Sequence, residues 1–140
     1  MPAETLPMIW WARRDLRLAD NPALLTAISS GHAVLPLFVL DPTLLKSAGP
    51  VRTAWLMASL HRLDEDLREG GGPGLSVLTG TPEVVIPALA SRIGAPQVHI
   101  SADFAPYGRR RDERVRRALG DVSVELKATG SPYGVAPGTL

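Results

Sequence analysis

Apolar and polar positions along the chain alternate between short unbroken apolar runs and longer amphipathic stretches. Pro7-Met8-Ile9-Trp10-Trp11-Ala12 is apolar without alternation, the pattern of a strand buried on both faces. Asp20-Asn21-Pro22 then supplies N-cap candidates followed by a proline near the first helical position, predicting a helix that stops near Gly31. Val34 to Leu40 is the second apolar run. Val51 to Glu69 carries Leu56, Leu60, Leu63 and Leu67 on one helical face and ends in Gly70-Gly71-Gly72-Pro73-Gly74, a strong breaker. Leu75 to Leu78 predicts a short third strand. Thr81-Pro82-Glu83 opens a helix reaching about Ile93, with Pro87 marking a kink or a late start. Gln97 to Ser101 is the fourth strand, Arg109 to Leu119 the fourth helix and Val122 to Leu126 the fifth strand. Strands separated by single helices pair in parallel through right-handed crossovers. The expected fold is therefore α/β: a doubly wound, Rossmann-like, five-stranded parallel sheet with helices on both faces.

Composition narrows the class. The 140 residues fit one domain, and a 45% hydrophobic fraction is enough to build a core. Fifteen basic and 14 acidic residues leave a net charge of +1, so no global charge favours nucleic acid or a membrane. With no cysteine, disulfides, thiolate metal sites and cysteine nucleophiles are excluded. No apolar run approaches the ~20 residues of a membrane span, and Met1-Pro2-Ala3-Glu4 does not open a signal peptide; a cytoplasmic location is expected.

In a doubly wound sheet, ligands sit at the carboxyl ends of the strands where strand order reverses. Those ends are Arg13-Arg14-Asp15, Asp41, Gly80-Thr81 and Asp103. No glycine follows the first strand, so the dinucleotide fingerprint is missing, as are a Walker loop and a G-x-S-x-G nucleophile elbow. His32, His61 and His99 fall at a loop, an exposed helical position and mid-strand, without metal-ligand spacing. Arg52 stands four residues before Leu56, and Arg111 four before Val115, which predicts that both point inward from the first turn of their helices. Inward arginines need anionic partners, either Asp41 and Asp103 or a ligand. The cluster Arg109-Arg110-Arg111, Arg114, Arg116 and Arg117, opposed by Asp112 and Glu113, reads as a solvated helix face rather than a DNA surface. Trp10, Trp11 and Trp55 read as core packing.

Trp10-Trp11-Ala12-Arg13-Arg14-Asp15-Leu16-Arg17-Leu18-Ala19-Asp20-Asn21 resembles the opening of the DNA photolyase/cryptochrome family. Four further stretches agree in order: Leu37 to Pro42; Arg52 with Trp55-Leu56 and Ser59-Leu60; Gly80-Thr81-Pro82 with Ile86-Pro87; and Asp103 to Asp112. The resemblance implies an N-terminal α/β domain over residues 1–128, with residues 129–140 opening an interdomain linker. It implies a domain that holds a light-harvesting antenna chromophore beside a helical domain binding flavin adenine dinucleotide (FAD) and damaged DNA. The FAD-binding helical domain lies outside this chain, so the chain alone is not expected to catalyse dimer repair or to contact DNA. Folate-binding members carry Asn-Glu where this chain has Tyr107-Gly108. The form here is similar to the branch that binds an 8-hydroxy-5-deazaflavin, the alternatives being methenyltetrahydrofolate or no antenna. On that resemblance the chromophore would be bound by Val39, Leu40, Asp41, Arg52, Asp103 and Arg111, with a lysine of the helical domain completing the site. A stand-alone adenine-nucleotide module of the same topology is the alternative, and the missing phosphate-cradling glycines weigh against it. Loss of the helical partner would leave apolar surface exposed, predicting a marginal domain prone to self-association.

Overall fold

The computed structural model describes residues 6–18, 21–29 and 33–129. Within them the elements run β1 (Met8–Trp11), α1 (Pro22–Ser29), β2 (Val34–Leu40), α2 (Pro42–Ala48), α3 (Pro50–Glu69), β3 (Ser76–Thr79), α4 (Pro82–Ile93), β4 (Gln97–Ser101), α5 (Pro106–Gly120) and β5 (Glu125–Thr129). The strands form one five-stranded sheet in the order β3-β2-β1-β4-β5, every pairing parallel. The expected doubly wound α/β fold is present.

Strand order reverses between β1 and β4, and the reversal sorts the helices. Ile9 and Trp11 of β1 pack with Ile86 and Ala90 of α4 and with Val115 and Leu119 of α5. Trp10 and Ala12, one residue out of phase, pack with Ala23 and Leu24 of α1 and Leu63 of α3. Both faces of β1 are thus covered, which is why the strand is apolar throughout.

Several boundaries move for local reasons. Asn21 caps α1, its Oδ1 accepting from the Leu24 N–H at 3.1 Å; Asp20, Gly31 and His32 lie outside the described residues. Helix α2 is absent from the expected pattern because it buries no residue and so has no apolar stripe to read. Its start is nonetheless encoded in Asp41-Pro42, where the Asp41 carboxylate accepts from the Thr43 N–H at 2.9 Å. Helix α4 runs through Pro87 from Pro82, so the late start is not seen. Helix α5 begins at Pro106, three residues before Arg109. Strand β5 begins three residues later than expected, because Val122 lies in the turn that ends α5 and Ser123 takes a positive φ of 61° there.

Two expectations for α3 fail. Trp55 keeps 68% of its surface exposed and is not core, and Arg52 is exposed rather than inward. A 20-residue helix is about 30 Å long, whereas the four residues of β3 span about 13 Å. Only the part carrying Leu60 and Leu63 is buried, so the amino-terminal turns lie beyond the cover of the sheet.

Residues 129–140 were expected to begin a linker; Thr129 is instead the last residue of β5, paired with Ser101, and 130–140 lie outside the described residues. No described helix is long and apolar enough to cross a membrane.

His99 on β4 is buried, and its Nδ1 has no hydrogen-bond partner among the described residues. Desolvation, reinforced by Lys127 and opposed by Glu125, lowers its pKa below the ordinary 6.5. In the unfolded chain the imidazole therefore takes a proton at higher pH than in the folded chain. Its contribution to stability is complete above pH 6.5 and falls as the pH drops from there through the folded pKa. Urea midpoints of wild type and His99→Gln should accordingly converge as the pH is lowered from neutrality to about 5. Parallel midpoints would remove His99 as a source of acid sensitivity.

Candidate functional site

The β1–β4 reversal opens a crevice at the carboxyl edge of the sheet, where a cavity of about 360 Å³ lies. Trp11, Phe38, Val39 and Leu44 give it apolar walls, while Arg13, Arg14, Asp41, Asp103 and Arg111 line it with charge. Strand geometry explains the mixture. Apolar strand ends reach the edge of the core at the point where the chain turns polar and leaves the sheet.

The charged groups form one connected network. Arg13 donates from Nη1 to Asp112 Oδ1 at 2.5 Å and from Nη2 to the Ser101 carbonyl. Arg111 donates from Nε to the same Asp112 oxygen at 3.1 Å and from Nη2 to Asp103 Oδ2 at 3.2 Å. Asp103 is fixed from its other oxygen, which accepts from the Ala105 N–H at 3.0 Å. Behind the network, the buried Asp15 carboxylate accepts from the Ser101 hydroxyl at 2.7 Å, the Arg13 N–H at 2.9 Å and the Asn21 amide at 3.2 Å. Burial pulls the Arg13 pKa below its ordinary value, against the raising effect of Asp112; a guanidinium stays charged all the same.

Trp11 adds a second kind of contact. The Arg13 guanidinium lies 4.8 Å and that of Arg111 5.5 Å from its ring centroid. Both distances are in cation–π range, so the indole and Asp112 together hold the two guanidiniums that line the cavity. Tyr107, 44% exposed, stands beside them with its ring 6.0 Å from Arg111.

Gly108 permits this arrangement by having no side chain. A Cβ there would lie 2.1 Å from Asp103 Oδ2, so any other residue would push the Asp103 carboxylate off Arg111.

The six residues expected from the sequence divide. Val39, Asp41, Asp103 and Arg111 line the cavity. Leu40 faces a separate cavity shared with Leu60, Leu75 and Val77, and Arg52 sits exposed on α3, outside both. The inward direction expected for Arg111 is seen, together with the pairing to Asp103. Five arginines of the basic cluster are exposed, as a solvated face requires, but Asp112 is not one of its surface counter-charges: it is buried. Sequence reading placed Arg13 at a ligand-facing strand end without counting it among the six, and missed Asp112, Trp11 and Gly108 as site residues. A signal for two of them existed, since Gly108, Asp112, Val115 and Leu119 follow the helical spacing of one buried stripe. No group of three or more metal-ligating side chains occurs among the described residues.

Comparison with known proteins gives this crevice a context. A DNA photolyase family model matches residues 8–140. A deoxyribodipyrimidine photo-lyase of Thermus thermophilus is 46% identical over 131 residues, covering 94% of this chain and 30% of the relative. Cryptochrome DASH of Natronomonas pharaonis is 36% identical over 124 residues, 84% of this chain and 26% of that one. The Synechocystis cryptochrome structure superposes with a TM-score of 0.81 at 30% identity, over 87% of this chain and 27% of its own. The archaeal photolyase of Sulfolobus tokodaii, a structure with two FAD molecules that implicates a novel light-harvesting cofactor, gives a TM-score of 0.80 at 31% identity. That match covers 88% of this chain and 29% of the archaeal one, so this chain spans under a third of each of these relatives. The family model runs through all five strands and the crevice between them, and the chain belongs to the DNA photolyase family.

Proposed function

We propose that this chain is the light-harvesting domain of a photolyase- or cryptochrome-like protein and that the β1–β4 crevice binds its antenna chromophore. The observation that carries the reading is the composition of the cavity: apolar walls for a planar ring, with guanidiniums and a carboxylate at the edges for its polar rim. Its volume of about 360 Å³ falls within the ~300–1,000 Å³ of small-molecule sites, so a tricyclic ring system is of suitable size. Trp11, Phe38 and Val39 would flank the ring, and Arg111, Asp103 and Asp41 would hold its heteroatoms. When bound, the chromophore supplies absorption and passes its excitation to a flavin on another domain. No bond is made or broken in this chain; light-driven repair of pyrimidine dimers would belong to the helical FAD domain of the parent protein.

The Tyr107-Gly108 pair favours an 8-hydroxy-5-deazaflavin over a folate. The FAD-containing archaeal neighbour makes FAD itself a second ligand to test. Titration of the chain with 8-hydroxy-5-deazaflavin, methenyltetrahydrofolate, FAD and an ATP analogue, followed by absorbance and fluorescence, separates these. Saturable binding of the deazaflavin is expected. Low-micromolar binding of the ATP analogue with none of the chromophores would overturn the reading in favour of a nucleotide module.

Arg111→Lys sharpens the test. Lysine keeps the charge but cannot donate a planar fork to Asp103, Asp112 and a ligand oxygen together. Deazaflavin affinity is expected to fall by at least ~1 kcal/mol, about fivefold, on the scale of a charge-assisted hydrogen bond. Unchanged affinity beside a lowered denaturation midpoint would leave Arg111 as a structural partner of Asp103 and nothing more.

A further inference from the structure

Three aromatic side chains line the β1–β4 crevice: Trp11, Phe38 and Tyr107. They differ in how easily they lose an electron. Indole and phenol are oxidised far more readily than the benzyl ring of phenylalanine. The two oxidisable rings are also the two that face guanidiniums. Arg13 and Arg111 lie 4.8 and 5.5 Å from the Trp11 ring centroid, and Arg111 lies 6.0 Å from that of Tyr107. Phe38 has no such contact among the described residues.

These cations are fixed in place. Asp112 and the Ser101 carbonyl hold Arg13, and Asp112 and Asp103 hold Arg111, each by the N–H edge, which leaves the guanidinium carbons over the rings. A cation–π contact stabilises the neutral ring, and Coulomb repulsion disfavours the positive ring left behind when an electron departs. Both effects make the ring harder to oxidise. Trp11 is buried and the two arginine side chains nearly so, so water and salt screen the repulsion weakly.

A light-harvesting ring held between such walls faces a competing reaction. An indole or phenol in contact with an excited ring can give it one electron; the electron then returns to the donor and the excitation is lost as heat. No bond forms or breaks in that cycle, and nothing but the excitation is consumed. We propose, resting on the chromophore reading above, that Arg13 and Arg111 hold Trp11 and Tyr107 against oxidation and so preserve the excitation for transfer to the flavin. The protein's part is to exclude a side reaction of the group it binds. Arg111 serves both rings, a role separate from any hydrogen bond it gives the ligand, and Asp112 is the positioning residue that keeps both cations at the indole.

Time-resolved fluorescence of 8-hydroxy-5-deazaflavin bound at saturation to the chain tests this. Trp11→Phe should leave the lifetime within about 1.5-fold of wild type, because a guarded indole quenches little. Arg111→Gln should shorten it about twofold or more, since both rings lose a cation. Arg111→Lys keeps the charge, and its bound fraction should hold a lifetime close to wild type even as affinity falls. Adding Trp11→Phe and Tyr107→Phe to Arg111→Gln should restore the wild-type lifetime, because no ready donor remains. Asp112→Asn disturbs the same network but leaves both cations in the crevice, so it should not shorten the lifetime; shortening there as well would mean that disorder, not charge, governs quenching. A wild-type lifetime that lengthens severalfold in Trp11→Phe overturns the proposal, and that comparison stands without touching any ion pair. So does an Arg111→Gln lifetime equal to wild type, or a shortening that survives loss of both donor rings. Absorbance titration, done first, tells the two failures apart. Absence of saturable binding removes the chromophore site and this role with it, whereas binding with lifetimes indifferent to charge removes this role alone.

Discussion

Replacing Asp112 with alanine is expected to lower the free energy of unfolding by about 3–5 kcal/mol, the scale of removing one partner from a buried ion pair. The reason is the number of charges it serves. Asp112 Oδ1 accepts from Arg13 and from Arg111, whose side chains are 11% and 14% exposed. Deleting it leaves two guanidiniums in a largely dry crevice with Asp103, the Ser101 carbonyl and the Trp11 ring as their remaining partners. Asp112→Asn keeps the shape and one acceptor oxygen but loses the charge, and should cost about half as much, in the range of a charged hydrogen bond. Urea denaturation with an unchanged slope and a lowered midpoint is the expected signature. A loss under about 1 kcal/mol for the alanine variant would mean that water replaces the carboxylate and that the crevice is wetter than its geometry implies.

Trp11→Ala should destabilise by a similar amount, about 3–5 kcal/mol for deleting a buried aromatic. Trp11 is 2% exposed and packs in the larger of the two core clusters. Its ring also faces the guanidiniums of Arg13 and Arg111, so the substitution removes a core side chain and the apolar surface on which two charges rest. Trp11→Phe separates these roles. Phenylalanine fills most of the space and keeps a weaker cation–π face, so stability should drop by about 1–2 kcal/mol. Chromophore affinity should then fall more than the stability loss alone accounts for, because Trp11 is also a wall of the cavity. If Trp11→Phe binds chromophore as wild type does, Trp11 supports the site and does not touch the ligand.

The α/β alternation was legible in the residue pattern because it is a local property. Whether a run such as Met8 to Trp11 is covered on both faces shows in the run itself. Strand ends are equally local, which is how Asp41 and Asp103 could be picked from the residue pattern, and the Arg-Arg-Asp-Leu-Arg segment carried the family resemblance that the comparisons then showed. Helical phase was less reliable. It placed Arg111 correctly, but it assigned Arg52 and Trp55 to the inside of α3, where both are exposed.

The difference has a physical cause. Periodicity tells which residues share a flank of a helix, but not how far along that flank the sheet extends. On α5 the buried stripe Gly108, Asp112, Val115 and Leu119 begins in the first turn, so a first-turn arginine meets the core edge. On α3 the first buried residue is Leu60, ten residues after the helix begins at Pro50, and an arginine of the same phase meets water. The joining of Arg13 to Asp112 is likewise invisible along the chain, being 99 residues apart in sequence. The sequence alone determined the five strands, the helices other than α2, the parallel pairing and the chemistry available at the strand ends. The order β3-β2-β1-β4-β5 decided which of those ends converge, because only the chain's crossing from β3 to β4 puts the end of β1 beside the start of α5.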